Sequence, residues 1–379
     1  MIYMDYAATT PMRQEALQMY VEASTTFYGN ASSLHDVGSQ AAQLLESCRL
    51  NLGKLLQADK DGIYFTSGGS ESNVLALQSL IEANDHNGKH LITTTIEHSS
   101  IQHFFARLET LGYEVTYLPV DSKGLLDLEV LGRAIREDTI LASIQHGNGE
   151  IGTLQAIQEI GSLLHSKGVL FHSDCVQTFC KVPLVLTDVP VDSISLSSHK
   201  VYGPKGVGAV YINPSVPFKP FLPNTTHEKG FRPGTVNVPG IASFVTAAEL
   251  LHEEMPANQE RYKQLRQMFI DLLSDISSDA IIEGDSVEQL PNILGVRFPG
   301  IQGQYVLLEC NRNGLAVSTG SACSTGQQIP SKTIQALGRT SEQAQEFVRF
   351  SFGKETTEVQ VTEAAEILNT LLAKFFITQ

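Results

Sequence analysis

Apolar and polar positions along this chain switch repeatedly between two periods. Short β-like runs occur at IYFTS (63–67), HLITTT (90–95), EVTYLPV (114–120), ILASIQH (140–146), GVLFHSD (168–174), SISLSS (193–198) and GVGAVYI (206–212). Helical patterns lie between them, among them one from about Ser70 to Ala83 and one from about Ile101 to Leu111. This alternation predicts an α/β domain around a mainly parallel sheet. Ahead of it, Ala41, Leu44, Leu45, Cys48, Leu52, Leu55 and Leu56 recur at spacings of three and four. That pattern predicts an amphipathic helix with Cys48 in the core. After Asn213 the texture changes to a stretch rich in Pro, Gly, Asn and Thr that reads as a long loop, and a loop of this length inside a domain is usually functional. A helical stretch follows from about Ile241 to Ser274. ILGVRF (293–298), a helix near Tyr305–Cys310, VRFSFG (348–353) and a last helix from about Glu358 then predict a smaller α+β domain. The expected division is a large domain over 13–255 and a small one over 1–12 and 256–379, the boundary falling inside the long helical stretch.

Composition narrows the class. The 379 residues are 42% hydrophobic and 18% charged, which excludes a disordered or fibrous chain. The 26 basic and 41 acidic residues leave a net charge of −15, so nucleic acid and anionic membrane are not expected partners. No apolar run approaches the roughly 20 residues that span a bilayer. MIYMDYAATTP does not read as a signal peptide, and the expected location is the cytoplasm. Cys48, Cys175, Cys180, Cys310 and Cys323 are scattered and contain no CxxC, so neither a disulfide framework nor a structural metal site is expected.

Five segments could carry chemistry. TSGGSESN (66–73) follows a strand and opens a helix. Its glycines and free N–H groups suit a phosphate, although a turn with a helix cap explains it equally well. It is neither GxGxxG nor GxxxxGK[ST], which sets aside a nicotinamide dehydrogenase or NTPase reading. In SSHKVYGPKGVG (197–208), Lys200 ends a strand; it is either an exposed loop lysine or a buried one with a lowered pKa. In FHSDCVQT (171–178), Asp174 sits at the C-terminal end of an apolar strand, where α/β sheets place their ligands. A metal cluster of His172, Asp174 and Cys175 is not favoured, because residues so close on one strand are expected to point to opposite faces. In STGSACSTG (318–326), Cys323 reads as an exposed loop thiol, a liability unless its reactivity is used. In VRFSFG, Arg349 either grips a carboxylate or forms a structural ion pair.

Taken together with MDYAATTP, EHSSI, EIGTLQ and FRPGT, these motifs run in order through nearly the whole chain. In this the sequence resembles the cysteine desulfurases, fold type I pyridoxal-phosphate enzymes related to the class V aminotransferases. The HGNGEIG and THEKGFRPGTVNVPGI segments resemble a Bacillus-type branch linked with NAD biosynthesis, whose sulfur supplies the cluster of quinolinate synthase. The resemblance implies a homodimer that takes L-cysteine, releases L-alanine, and passes sulfur to an acceptor protein for iron–sulfur cluster assembly. It implies that Lys200 carries the pyridoxal 5'-phosphate and then serves as base, Asp174 meets the pyridine nitrogen and Gln177 the phenolic oxygen. His98 would stack on the ring. Gly69, Ser70, Ser197 and His199 would hold the phosphate, with Thr235 reaching that of a neighbouring subunit. Asn148 would lie by cofactor and substrate, Arg349 would bind the substrate carboxylate, and Cys323 would accept the sulfur.

Three positions depart from the family pattern. Gly149 stands where many relatives have a second asparagine, Val74 where an amide is common, and Cys180 where many have glycine. The first two bear on substrate affinity, and Asn148 is one residue that could compensate; Cys180 reads as buried and inert. Selenocysteine lysis, transamination and a non-catalytic sulfur-transfer scaffold are the competing functions.

Overall fold

The computed structural model describes residues 1–320 and 330–377; Cys323 lies outside the described residues. Its strands are β1 (Ile2–Tyr3), β2 (Ile63–Thr66), β3 (His90–Thr94), β4 (Glu114–Leu118), β5 (Thr139–Ser143), β6 (Leu170–Asp174), β7 (Ser193–Ser197), β8 (Gly208–Ile212), β9 (Ile281–Glu283), β10 (Ile293–Arg297), β11 (Leu315–Ala316) and β12 (Phe347–Ser351). The seven β-like runs of the first half form one sheet in the order β2-β8-β7-β6-β5-β3-β4. Neighbours from β4 through to β7 pair in parallel, and β8 runs antiparallel to both β7 and β2. Helices Ser99–Thr110, Leu128–Ala134 and Ile157–Ser166 supply crossovers. The ten-residue link from β7 to β8 is too short for the crossover a parallel neighbour needs. β3, β5 and β7 are buried at every position, as a sheet covered on both faces requires.

One buried cluster on this sheet joins Leu45, Cys48 and Leu52 of helix Asp36–Leu56 to Phe171, Ile194 and Phe244, and another joins Leu77, Leu80 and Phe105 to Leu141 and Val210. A separate cluster gathers Met4, Phe269, Val296, Phe350 and Leu368 around the antiparallel sheet β12-β10-β9. β1 pairs in parallel with β11, so the first residues of the chain pack with the last hundred. Helix Val238–Ile276 is continuous over 39 residues and contains Pro256. Its buried residues belong to the first cluster up to Leu251 and to the small-sheet cluster from Tyr262. Pro256 lies between, where the missing N–H removes one helical hydrogen bond.

The long loop after Asn213 is stitched to the exposed edge of the large sheet. Glu228, held at φ 46°, accepts from the Phe65 backbone N–H at 2.6 Å and from two Arg49 nitrogens at 3.0 and 2.9 Å. Arg49 also donates to the Ile63 carbonyl. Edge strand β2 therefore has its outward donor and acceptor satisfied by a buried ion pair rather than left open to another strand. Removing one partner of such a pair leaves the other charge buried and uncompensated. Glu228→Ala is expected to lower the unfolding free energy by about 3 kcal/mol in urea titrations, and Arg49→Met combined with Glu228→Gln to lose less. A loss below about 1 kcal/mol would mean that the pair is as weak as a surface one.

Candidate active site

The C-terminal ends of the parallel strands carry the chemistry-bearing residues. β7 ends at Ser197, and the turn Ser198–Lys200 carries Lys200 into the interior. Its Nζ donates to the carbonyls of Ala7 (2.5 Å) and Ala8 (2.8 Å) in the N-terminal segment. The same segment is tied to this turn by Thr10, whose N–H and hydroxyl both donate to the His199 carbonyl. Burial, and after it the nearby Arg349 and Lys181 cations, bring the Lys200 amine down to about 7. The exposed-loop reading of this lysine does not hold.

Asp174 closes β6 and is buried. One carboxylate oxygen accepts from the Val176 backbone N–H at 2.9 Å and the other from Asn73 Nδ2 at 2.7 Å. Asn73, one turn into helix Gly69–Asn84, is a hub that sequence reading left without a role. Its Nδ2 also donates to Ser100 Oγ (3.1 Å), and its Oδ1 lies 3.3 Å from His172 Nε2. A carboxylate only accepts, so the Asn73 nitrogen must face Asp174 and its oxygen must face His172. His172 Nε2 then carries the proton, and Ser193 Oγ donates to Nδ1 at 3.2 Å. Burial lowers the His172 pKa to about 3, so the ring stays neutral. His172 and Asp174 share one face of β6, which corrects the expectation that they point apart; Asn73 bridges them. Among the described residues no group of three or more His, Cys, Asp or Glu is placed to hold a metal ion.

Ser100 extends the network to His98, the N-cap of helix Ser99–Thr110, whose Nδ1 lies 2.8 Å from Ser100 Oγ. The His98 ring is exposed at the site. Gln177 donates from Nε2 to the Ala7 carbonyl at 3.0 Å and accepts at Oε1 from Lys181 at 3.4 Å.

The phosphate-cradle segment fits its expected use. Gly68, at φ 151°, caps helix Gly69–Asn84, whose first turn presents free N–H groups. A Cβ at Gly69 would press on Val176 at 2.8 Å and lie 3.5 Å from Ser197 Cβ. Ser197 Oγ is buried without a hydrogen-bond partner, and Ser70, next to Gly69 at the helix start, is exposed. His199 Nδ1 lies 3.1 Å from Thr9 Oγ1, and burial holds its pKa down at about 4. Thr235 is exposed; its loop is tied to the cradle helix by Arg232 Nε on Glu71 at 2.8 Å. An orphaned hydroxyl, a glycine cradle at a helix N-terminus, a strand-end carboxylate and a depressed lysine are a donor set that accommodates pyridoxal 5'-phosphate.

Arg349 enters from β12. It pairs with Asp5 at 2.8 Å and donates to the Gly149 carbonyl at 2.8 Å, so the ion-pair reading holds. Its Nε is buried without a partner, which leaves capacity for a further carboxylate. Asn148 ties its own loop to the one after β3: Oδ1 accepts from the Glu150 and Ile151 N–H groups, and Nδ2 donates to the Ile96 carbonyl. A Cβ at Gly149 would meet Gln177 Nε2 at 2.9 Å, so the small residue leaves room for that amide. Cys180 is buried at φ 55°, a conformation that favours glycine, and burial raises its thiol.

Glu97, adjacent to His98, is fully buried. It accepts from Thr94 Oγ1 (2.6 Å) and the Gln145 N–H (3.0 Å), while its Oε2 has no partner. Burial pushes its pKa up to about 8, and the Asp174 charge adds to this. A carboxyl raised from 4.5 to about 8 on folding favours the native state most below pH 4.5 and loses that contribution as pH rises toward 8. Glu97→Gln mimics the neutral acid. Its stability should fall less than that of the parent between pH 5 and 8 in paired urea titrations; identical slopes would mean that Glu97 ionises in the folded chain.

Comparison with known proteins agrees with this geometry. The aminotransferase class-V family model matches residues 2–363. The chain is 50% identical over 365 residues to a Bacillus subtilis (strain 168) protein named "Putative cysteine desulfurase NifS", covering 96% of this chain and 92% of that one. It is 39% identical to the cysteine desulfurase IscS of Dictyoglomus turgidum, over 98% of this chain and 95% of that one. A solved structure titled "NIFS-LIKE PROTEIN" superposes with a TM-score of 0.92 at 33% identity, covering 98% of this chain and 99% of that one. The chain therefore belongs to the class-V aminotransferase family of pyridoxal-phosphate enzymes, among its NifS- and IscS-type cysteine desulfurases.

Proposed function

We propose that this enzyme is a cysteine desulfurase that takes the sulfur of L-cysteine onto Cys323 and releases L-alanine. The observation that carries the reading is the half-buried Lys200 at the end of β7, tied to the Ala7 carbonyl, its amine lowered to about 7 by desolvation and by the Arg349 and Lys181 cations. Pyridoxal phosphate, when bound, supplies an electron sink for the substrate Cα. Asp174 would meet its ring nitrogen, held in orientation by Asn73 and the Val176 N–H. Gln177 would present its NH2 end to the phenolic oxygen, and the Gly69 helix start, Ser70, Ser197 and His199 would surround the phosphate. His98 would lie against the ring. An amine titrating near 7 is available as free base at neutral pH, so Lys200 can accept the Cα proton and return it. Arg349 would use its unpartnered Nε on the substrate carboxylate.

The sulfur step balances without an outside oxidant. The Cys323 thiolate attacks the substrate sulfur, and the C–S bond breaks with its electron pair left on carbon. That carbon takes a proton and leaves as the methyl group of alanine, while Cys323 keeps the sulfur as a persulfide. The sulfur then passes to an acceptor for iron–sulfur cluster assembly. The resemblance of the HGNGEIG and THEKGFRPGTVNVPGI segments to a Bacillus-type branch supports quinolinate synthase as one such acceptor. We place the enzyme in the cytoplasm as a homodimer. No helix among the described residues is long and apolar enough to cross a membrane. Exposed Leu17, Tyr20 and Val21 on helix Gln14–Thr26 support an interface between copies.

Purified protein given L-cysteine and a reductant should form alanine and sulfide in equal amounts. Cys323→Ala should abolish both while keeping the cofactor colour. Alanine formed at the parent rate by Cys323→Ala would overturn the persulfide route and favour a lyase that does not use this thiol. Arg349→Lys loses the planar donor set, and should raise KM for cysteine by about 10- to 100-fold, as loss of a charged hydrogen bond does. Steady-state kinetics beside a cofactor-binding titration check this; an unchanged KM would remove Arg349 from the substrate site.

A further inference from the structure

The turn after β6 buries a second lysine that the reaction above does not use. Lys181 is 8% exposed. It lines one cavity together with Lys200, Tyr6, Tyr202 and Asn292. Among the described residues no carboxylate lies within ion-pair distance of it, and its Nζ has one hydrogen bond, to Gln177 Oε1 at 3.4 Å. An unpaired buried cation is costly, and one that faces another amine across a cavity is costlier. Its backbone is pinned there: its N–H donates to the Thr178 carbonyl, and its carbonyl accepts from Gln259 at 2.9 Å.

The contacts form a chain. Lys181 holds the oxygen end of the Gln177 amide. The nitrogen end of that amide donates to the Ala7 carbonyl, which also accepts from Lys200. A flipped Gln177 would present its NH2 to an ammonium and its oxygen to a carbonyl, losing both bonds.

We propose that Lys181 is a positioning residue for the cofactor-bearing lysine: it fixes the Gln177 amide with its NH2 toward the site and keeps a positive charge beside the Lys200 nitrogen. This rests on the reading that Lys200 carries the cofactor. The charge has a definite sign. A cation near the Lys200 nitrogen disfavours a proton there, as Arg349 from β12 also does, whereas Asp5 from the N-terminal segment and Asp174 from β6 act in the opposite sense. Asp5 is already paired with Arg349. Lys181 itself, lowered by burial to about 8, faces Cys180 and Arg349 and remains largely charged at neutral pH.

The test is a pH titration of the visible absorption of the bound cofactor, which reports protonation of the nitrogen that links it to the protein. In Lys181→Met the midpoint should rise by about one pH unit, and in Lys181→Arg, which keeps a charge, it should return toward the parent value. A Lys181→Met holoenzyme with an unmoved midpoint would overturn the proposal, since a packing role alone would lower stability without shifting the titration. Should Lys181→Met not fold, Lys181→Gln is judged by the same shift. Borohydride reduction of the parent holoenzyme followed by peptide mapping separates the two failures. Cofactor fixed to Lys200 keeps the underlying reading, and cofactor fixed to Lys181 removes both that reading and this proposal.

Discussion

The Lys200 amine held against two backbone carbonyls, with the Arg349 and Lys181 cations acting on it more strongly than the Asp5 and Asp174 carboxylates, is the constraint around which the site is organised. A lysine paired to a carboxylate would stay protonated and inert. Here the Ala7 and Ala8 carbonyls hold the side chain in place without supplying a neutralising charge. The N-terminal segment must therefore thread between the two cores, and Thr10 and Arg13 fasten it to the residues around Lys200. A segment remote in sequence thus fixes where the central amine sits, while burial and the Arg349 and Lys181 cations lower its proton affinity.

Arg349 connects the small sheet to this arrangement. Its guanidinium bridges Asp5 and the Gly149 carbonyl, and its backbone exchanges hydrogen bonds with Ser318. Glu150, the next residue after Gly149, accepts from Ser331 and Thr333. The strand that carries Arg349 is thereby joined to both described ends of the segment that contains Cys323, and to the loop facing Gln177. Gly149 belongs to the same logic: its lack of a side chain leaves Gln177 its place, and its carbonyl orients Arg349.

Two buried networks support the polar site from behind. Asn73 relates Asp174 to His172 and, through Ser100, to His98, using both ends of one amide. Glu97 stands beside them as a neutral acid. Because His172 and Glu97 are neutral, the hydrogen bonds of Asn73 to Asp174 and of Glu97 to Thr94 and Gln145 form without placing further charge in the interior.

Local pattern determined the elements of this protein. The seven β-like runs became the seven strands of the large sheet, because period and length are properties of short stretches. The same holds for Cys48, whose helical spacing put it in the core, and for the motif order that carried the family resemblance. The tertiary structure alone decided what depends on contacts between distant segments. Asn73 could not be told from a polar helix residue until β6 placed Asp174 and His172 against it. Nothing in the sequence singled out Lys181; only folding left it buried, with no ion-pair partner among the described residues. Asn148 engages backbone groups of its own loop and the Ile96 carbonyl from another. His172 and Asp174, expected to diverge, share a face because alternate strand residues do, and only a partner from another element shows what that face is for. Hydrogen-bond partners and desolvation are set by what packs across the cleft, and no window of sequence contains them.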